Sequence, residues 1–153
     1  MLIHVRNQYT VSETPQDEPL IFDAHFLSSL LQTNDGRVGL LKWAHQMKAW
    51  TYGIWLNPLC RNEHWTLYVV VFPHKVILCI DFLHGLTSSD VLPKLCGFIE
   101  KLFMRMDTPV FNWSEWFFHR PVDIPSQKTM AGGGFKCGIH VCVWAYIICH
   151  GKY

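Results

Sequence analysis

A chain of 153 residues fits one domain and leaves no room for two full ones. Hydrophobic residues make up 50% and charged residues 16%, which supports a sizeable core and excludes a disordered chain. A formal net charge of +1 argues against nucleic acid or an anionic membrane as the main partner.

In chain order, residues 1–19 carry Ser12, Thr14, Pro15, Asp17, Glu18 and Pro19 and read as an irregular arm ahead of a domain over 20–153. Apolar positions 22, 26, 27, 30 and 31 follow helical spacing, and Asn34-Asp35-Gly36 signals the turn that ends this helix. A second helix is expected from about Arg37 to Trp50, with Leu40, Leu41, Ala44 and Met47 on one face. Tyr52 to Leu59 reads as a short strand stopped by Pro58. His64 to Phe72 and Val76 to Phe82 are β-branched and aromatic, and Pro73-His74-Lys75 joins them as a hairpin. Their nearly continuous apolar character predicts central strands covered on both faces.

Ser88-Ser89-Asp90 forms a cap cluster and Pro93 falls in the first helical turn, where it is tolerated. Val91, Leu95, Phe98, Leu102 and Met106 then trace a stripe flanked by Leu92, Ile99 and Phe103, with Lys94, Glu100, Lys101 and Arg105 outward. Trp113 to Val122 is expected to hold one or two strands, and Ala131-Gly132-Gly133-Gly134 a flexible loop. Cys137 to His150 is apolar all round over fourteen residues, which predicts a buried helix.

The six cysteines at 60, 79, 96, 137, 142 and 149 invite a disulfide framework. The start, Met-Leu-Ile-His-Val-Arg-Asn, has no apolar stretch of signal-peptide type, and no run reaches the roughly 18 apolar residues of a membrane span. Reduced thiols in the nucleus or cytoplasm, with no membrane association, are the expected condition. Cys79, Cys96, Cys142 and Cys149 are assigned to the core, since free cysteine behaves as a small hydrophobe. Cys137, His140, Cys142, Cys149 and His150 gather near one end of the sequence, but without a paired Cys-x-x-Cys no metal site is expected.

Three segments carry chemistry together. His64 opens one arm of the hairpin and Asp81 ends the other, 17 residues later. Antiparallel pairing brings those ends side by side, so Asp81 can accept a hydrogen bond from the imidazole and set its tautomer. Cys137 follows the glycine-rich loop and opens the apolar helix. There the helix dipole, and a nearby imidazolium, favour the nucleophilic thiolate. Gln127 lies upstream on the same loop, where its amide can donate to an oxyanion together with the Cys137 backbone N–H.

This set resembles the ubiquitin-like-protein-specific cysteine proteases, the SUMO- or sentrin-specific family. The elements that carry the resemblance are Glu63-His64-Trp65-Thr66-Leu67, Ile80-Asp81-Phe82-Leu83, Pro125-Ser126-Gln127 and Gly134-Phe135-Lys136-Cys137-Gly138. The Phe26 to Leu31 helix, the Gly39 to Trp43 segment and the Ile54 to Asn57 strand also stand where that family has them, so the likeness covers roughly residues 20–150.

The resemblance implies an α+β, papain-like cysteine protease fold with chain order His-Asp-Cys and a mixed or antiparallel central sheet flanked by helices. It implies cleavage after the C-terminal Gly-Gly of a ubiquitin-like modifier, SUMO-like first of all, in precursor processing or deconjugation. His64, Asp81, Cys137 and Gln127 would form the catalytic set without a cofactor, and Trp65 would wall the diglycine channel. Two other readings stand beside it. One is a weakly catalytic module that binds a ubiquitin-like partner; the other is a viral or mobile-element polyprotein protease of the same clan. The sequence departs from the family in three ways. Gln127 and Cys137 are ten residues apart, longer than the usual spacing, the family's Trp-Leu-Asn-Asp segment is missing, and the domain reads as shortened at both ends.

Overall fold

The computed structural model describes residues 18–32, 37–81, 90–105, 111–121 and 137–150, and within these the side chains of 37, 38 and 137–140 are left undescribed. Most of the arm expected over 1–19, the Asn34-Asp35-Gly36 turn, Met106 and the glycine loop at 131–134 lie outside the described residues.

Five strands form one mixed sheet in the order β1-β2-β3-β4-β5. They are β1 Leu20–Ile21, β2 Ile54–Arg61, β3 His64–Val71, β4 Val76–Ile80 and β5 Phe117–His119. β2, β3 and β4 form an antiparallel meander, while β1 joins β2 and β5 joins β4 in parallel. The helices are α1 Ala24–Gln32, α2 Arg37–Gln46, α3 Val91–Met104 and α4 Cys137–Cys149.

Side chains alternate across a pleated strand, so the central strands serve two cores. Tyr68 and Val70 of β3, with Trp55 of β2 and Ile77 of β4, pack into a large cluster with Phe26, Leu30, Ala44, Phe98 and Leu102 of α1, α2 and α3. Leu67 and Val69 of β3, with Leu56 and Ile80, meet Val141 and Ile148 of α4 on the other face. Both arms of the hairpin are therefore covered on both sides, as their continuous apolar character predicts. Rings dominate the larger core: Phe22 lies 4.4 Å from Phe26 and 4.9 Å from Trp55, centroid to centroid, and Phe26 lies 5.0 Å from Phe98.

Two turns place the hairpin arms. Arg61 pairs with His64 across a two-residue turn in which Asn62 and Glu63 both take positive φ, 50° and 62°. That is the backbone a tight right-twisted hairpin demands, and glutamate rarely adopts it. At the other end Pro73 sits in a short 3-10 turn, Phe72–His74, closed by Lys75 in the left-handed region at φ 53°.

Several elements differ from their sequence expectation. α2 ends at Gln46 instead of Trp50; a separate 3-10 turn, Ala49–Thr51, follows, and Met47 is exposed. β2 continues through Pro58 to Arg61. β1 pairs only with Trp55 and Leu56, so at Pro58 β2 has a strand partner on one side among the described residues, and a missing N–H is tolerated at an open edge. Asp90 precedes α3 without a side-chain capping bond, because its carboxylate instead takes both guanidinium nitrogens of Arg61, each at 3.1 Å. Of the stretch expected as one or two strands from Trp113 to Val122, the described residues hold a 3-10 turn, Trp113–Glu115, and the three-residue β5, while Val122 lies outside them. α4 is a helix as expected but is not buried all round. Cys142, Val143 and Tyr146 face outward, because the sheet covers only one of its sides.

Candidate active site

The β3–β4 register builds the first part of the site. Leu67 stands opposite Ile80, so Asp81 continues the ladder opposite Thr66, and His64 lies two residues further along the same face. Such diagonal neighbours are within reach of long side chains. Asp81 Oδ1 accepts a 2.7 Å hydrogen bond from His64 Nε2. The expectation that the two residues meet holds, on a diagonal instead of directly opposite.

This contact assigns the imidazole. An ionised carboxylate can only accept, so Nε2 carries the proton and, in the neutral ring, Nδ1 is the acceptor. Nδ1 is buried and has no hydrogen-bond partner among the described residues. A buried acceptor of that kind is costly unless something donates to it. It is the atom available to take a proton from a nucleophile.

Asp81 itself is only 3% exposed. A lone buried carboxylate would be strongly disfavoured. Its second oxygen, Oδ2, accepts from Arg120 at 3.0 Å. Arg120 follows β5, whose parallel register places His119 beside Leu78 and so carries the next residue toward the end of β4. Sequence reading missed Arg120, since no motif marks an arginine whose partner lies 39 residues upstream. Tyr68 and Cys79 form a cross-strand pair on the same face. Burial is the largest cause that pushes both their pKa values up, so both stay protonated at neutral pH.

Cys137 is the first residue of α4, whose thirteen residues run Cys137–Cys149 against β3. Its thiol lies outside the described side chains, and Gln127 lies outside the described residues altogether. Cys79, Cys96, Cys142 and Cys149 are free thiols. Burial raises Cys96 to about 11 and also pushes up Cys79 and Cys149. These three are protonated and poorly nucleophilic at neutral pH. Cys142, assigned to the core, is instead exposed, because it lines an open groove between α4 and the sheet. His150 donates from Nδ1 to the Tyr146 carbonyl at 2.8 Å and stacks on the Tyr146 ring.

That groove adjoins the His64 segment on the α4 side of the sheet. It is apolar, about 360 Å³, and lined by Trp65, Ile21 and Pro58 with Val141, Cys142 and Ala145. His64 and Trp65 are consecutive, so pleat alternation sends the imidazole toward Asp81 and the indole into this groove. Ile21, 57% exposed, supplies the opposite lip and was not singled out from sequence.

Comparison with known proteins gives the same architecture. The curated sentrin-specific protease of Caenorhabditis elegans is 26% identical over 121 residues, which is 79% of this chain and 16% of that protein. A solved SUMO protease Ulp1, with its catalytic cysteine oxidised to a sulfonic acid, superposes with a TM-score of 0.69 at 20% identity, over 99% of this chain and 66% of that one. A de-sumoylating protease gives 0.71 at 15% identity, over 97% and 58%. The Ulp1 protease domain in complex with Smt3, the yeast ortholog of SUMO, gives 0.66 at 21% identity, over 99% and 65%. The chain thus spans about a sixth of the curated relative and at most two thirds of these solved chains. The fold is the α+β, papain-like arrangement, and the model of the Ulp1 protease family, C-terminal catalytic domain, matches residues 5–152. With that match over nearly the whole sequence, this chain belongs to the Ulp1 protease family.

Proposed function

We propose that the chain is a thiol protease and isopeptidase that cleaves after the C-terminal Gly-Gly of a ubiquitin-like modifier, SUMO-like in the first instance, with residues 20–153 as its catalytic domain. The observation that carries this reading is the His64–Asp81 pair at 2.7 Å, with a buried Nδ1 that has no hydrogen-bond partner among the described residues. Support comes from the family and from relatives whose names specify SUMO or sentrin.

In the proposed reaction His64 Nδ1 takes the Cys137 thiol proton and the thiolate sulfur attacks the terminal glycine carbonyl. The helix dipole at the start of α4 favours that thiolate. Asp81 holds the imidazolium that forms. The oxyanion is met by the Cys137 N–H and the Gln127 amide. His64 then gives its proton to the leaving amine, which breaks the peptide or isopeptide bond and leaves a thioester. Water, deprotonated by His64, hydrolyses the thioester and returns the free thiol. Trp65 and the apolar groove hold the approaching tail, and a narrow passage there favours glycine because a side chain would clash. The free thiols of Cys79, Cys96, Cys142 and Cys149 suit a reducing nucleus or cytoplasm.

A panel of modifiers ending in a vinyl sulfone tests this. SUMO-like probes are expected to form an adduct that maps to Cys137. Binding without any adduct would reduce the chain to a binding module, and cleavage of a polyprotein site with none of any modifier would reassign the substrate. Gln127→Ala is expected to lower kcat roughly ten- to a thousand-fold with KM little changed. An unaltered kcat would place Gln127 away from the oxyanion.

A further inference from the structure

We infer that Arg120 is a positioning residue for the reaction, acting through Asp81. The inference rests on the proposed catalytic reading of the His64–Asp81 pair and extends it to a third residue.

The geometry divides the carboxylate between two partners. Oδ1 meets His64 Nε2 at 2.7 Å and Oδ2 meets Arg120 at 3.0 Å. A carboxylate held by one oxygen can still turn about its Cβ–Cγ bond. Held by both, its plane is set and Oδ1 is aimed at the imidazole. Because the guanidinium is always protonated, the second contact does not lapse at any step of a catalytic cycle. Asp81 is nearly sealed from water, so solvent cannot take over this task.

Arg120 is itself held. It extends β5, which is short but anchored by the buried Trp116 and by backbone pairing from Phe117 N to Lys75 O at 2.8 Å. Trp116 packs on Phe72 and Phe111 within the larger core, with ring centroids 5.8 and 5.9 Å apart. The last strand of the sheet thereby delivers a cation to the back of the carboxylate, on the side away from His64. The Arg120 side chain is 31% exposed, so its removal opens a path by which an added cation can reach Asp81.

The test uses the full chain and a fluorogenic substrate released from a SUMO-like C-terminus. Arg120→Ala is expected to lower kcat roughly ten- to a hundred-fold with KM changed less than about two-fold, as misplaced catalytic groups do. Guanidinium chloride at millimolar, non-denaturing concentration is expected to restore several-fold of the lost kcat in Arg120→Ala and none in the parent. Arg120→Lys, which keeps the charge but loses the planar fork, should fall between the two. In an Asp81→Asn background Arg120→Ala should change kcat less than about two-fold, since its route of action is already gone. Undiminished kcat in Arg120→Ala, or an equal loss in the Asp81→Asn background, overturns the inference. So does a loss that guanidinium and lysine both fail to rescue. An inactive parent protein would instead overturn the proposed function, so the two failures are distinguishable.

Discussion

Cys137→Ser is expected to lower turnover by about four to six orders of magnitude while leaving modifier binding nearly intact. A serine hydroxyl at this position is not deprotonated by a helix terminus and an imidazole as a thiol is, so the nucleophile is lost while the surface is kept. Four of the other thiols are poorly placed to compensate. Cys79, Cys96 and Cys149 are held protonated by burial, and Cys142 opens on the groove five residues further along α4. His64→Ala should cost about as much, and the double variant scarcely more than either alone, because the two act as one unit. Single-turnover kinetics, with an adduct map of the vinyl sulfone product, check this. Residual turnover above about a hundredth of the parent would assign the nucleophile elsewhere.

Trp55→Ala is expected to destabilise the fold by about 3–5 kcal/mol, the range for deleting a large ring from a packed core. Trp55 has no exposed surface. Its ring meets Phe22 at 4.9 Å and Phe72 at 5.1 Å, and its Nε1 donates to Ala49 O at 2.9 Å. The substitution therefore opens a cavity and removes a buried hydrogen bond in one change, leaving Ala49 O with the Tyr52 N–H at 3.2 Å. For a chain of this length, Tm should fall by roughly 10 °C, read by differential scanning calorimetry. Trp55 lies in the larger core and Trp65 in the groove on the opposite face, so Trp65→Ala should raise KM with a much smaller fall in Tm. Equal losses of stability would mean that the groove is part of the core.

Much of the site was legible because its parts are local patterns. His64 at a strand start, Asp81 at a strand end and Cys137 at a helix start each follow from hydropathy period and turn residues near them. The 17-residue interval between His64 and Asp81 was enough to predict their contact, since an antiparallel hairpin has little freedom in register. The α3 stripe was equally legible: Val91, Leu95, Phe98 and Leu102 are all fully buried at helical spacing. α4 was read correctly as a helix and incorrectly as fully buried, since a uniformly apolar sequence does not reveal which side the sheet will cover.

The sequence by itself determined the main helices, the central hairpin and the contact of His64 with Asp81. Each depends on periodicity over a few residues or on one tight turn. The tertiary structure alone decided three further matters. It set β1 and β5 in parallel beside the meander, a pairing that no turn dictates. It gave Asp90 to Arg61 instead of to its own helix. It brought Arg120 to the second oxygen of Asp81. These contacts join residues 29 to 41 positions apart, and local propensity carries no information about partners at that distance. Only the closing of the sheet, driven by burial of its two faces, selects them.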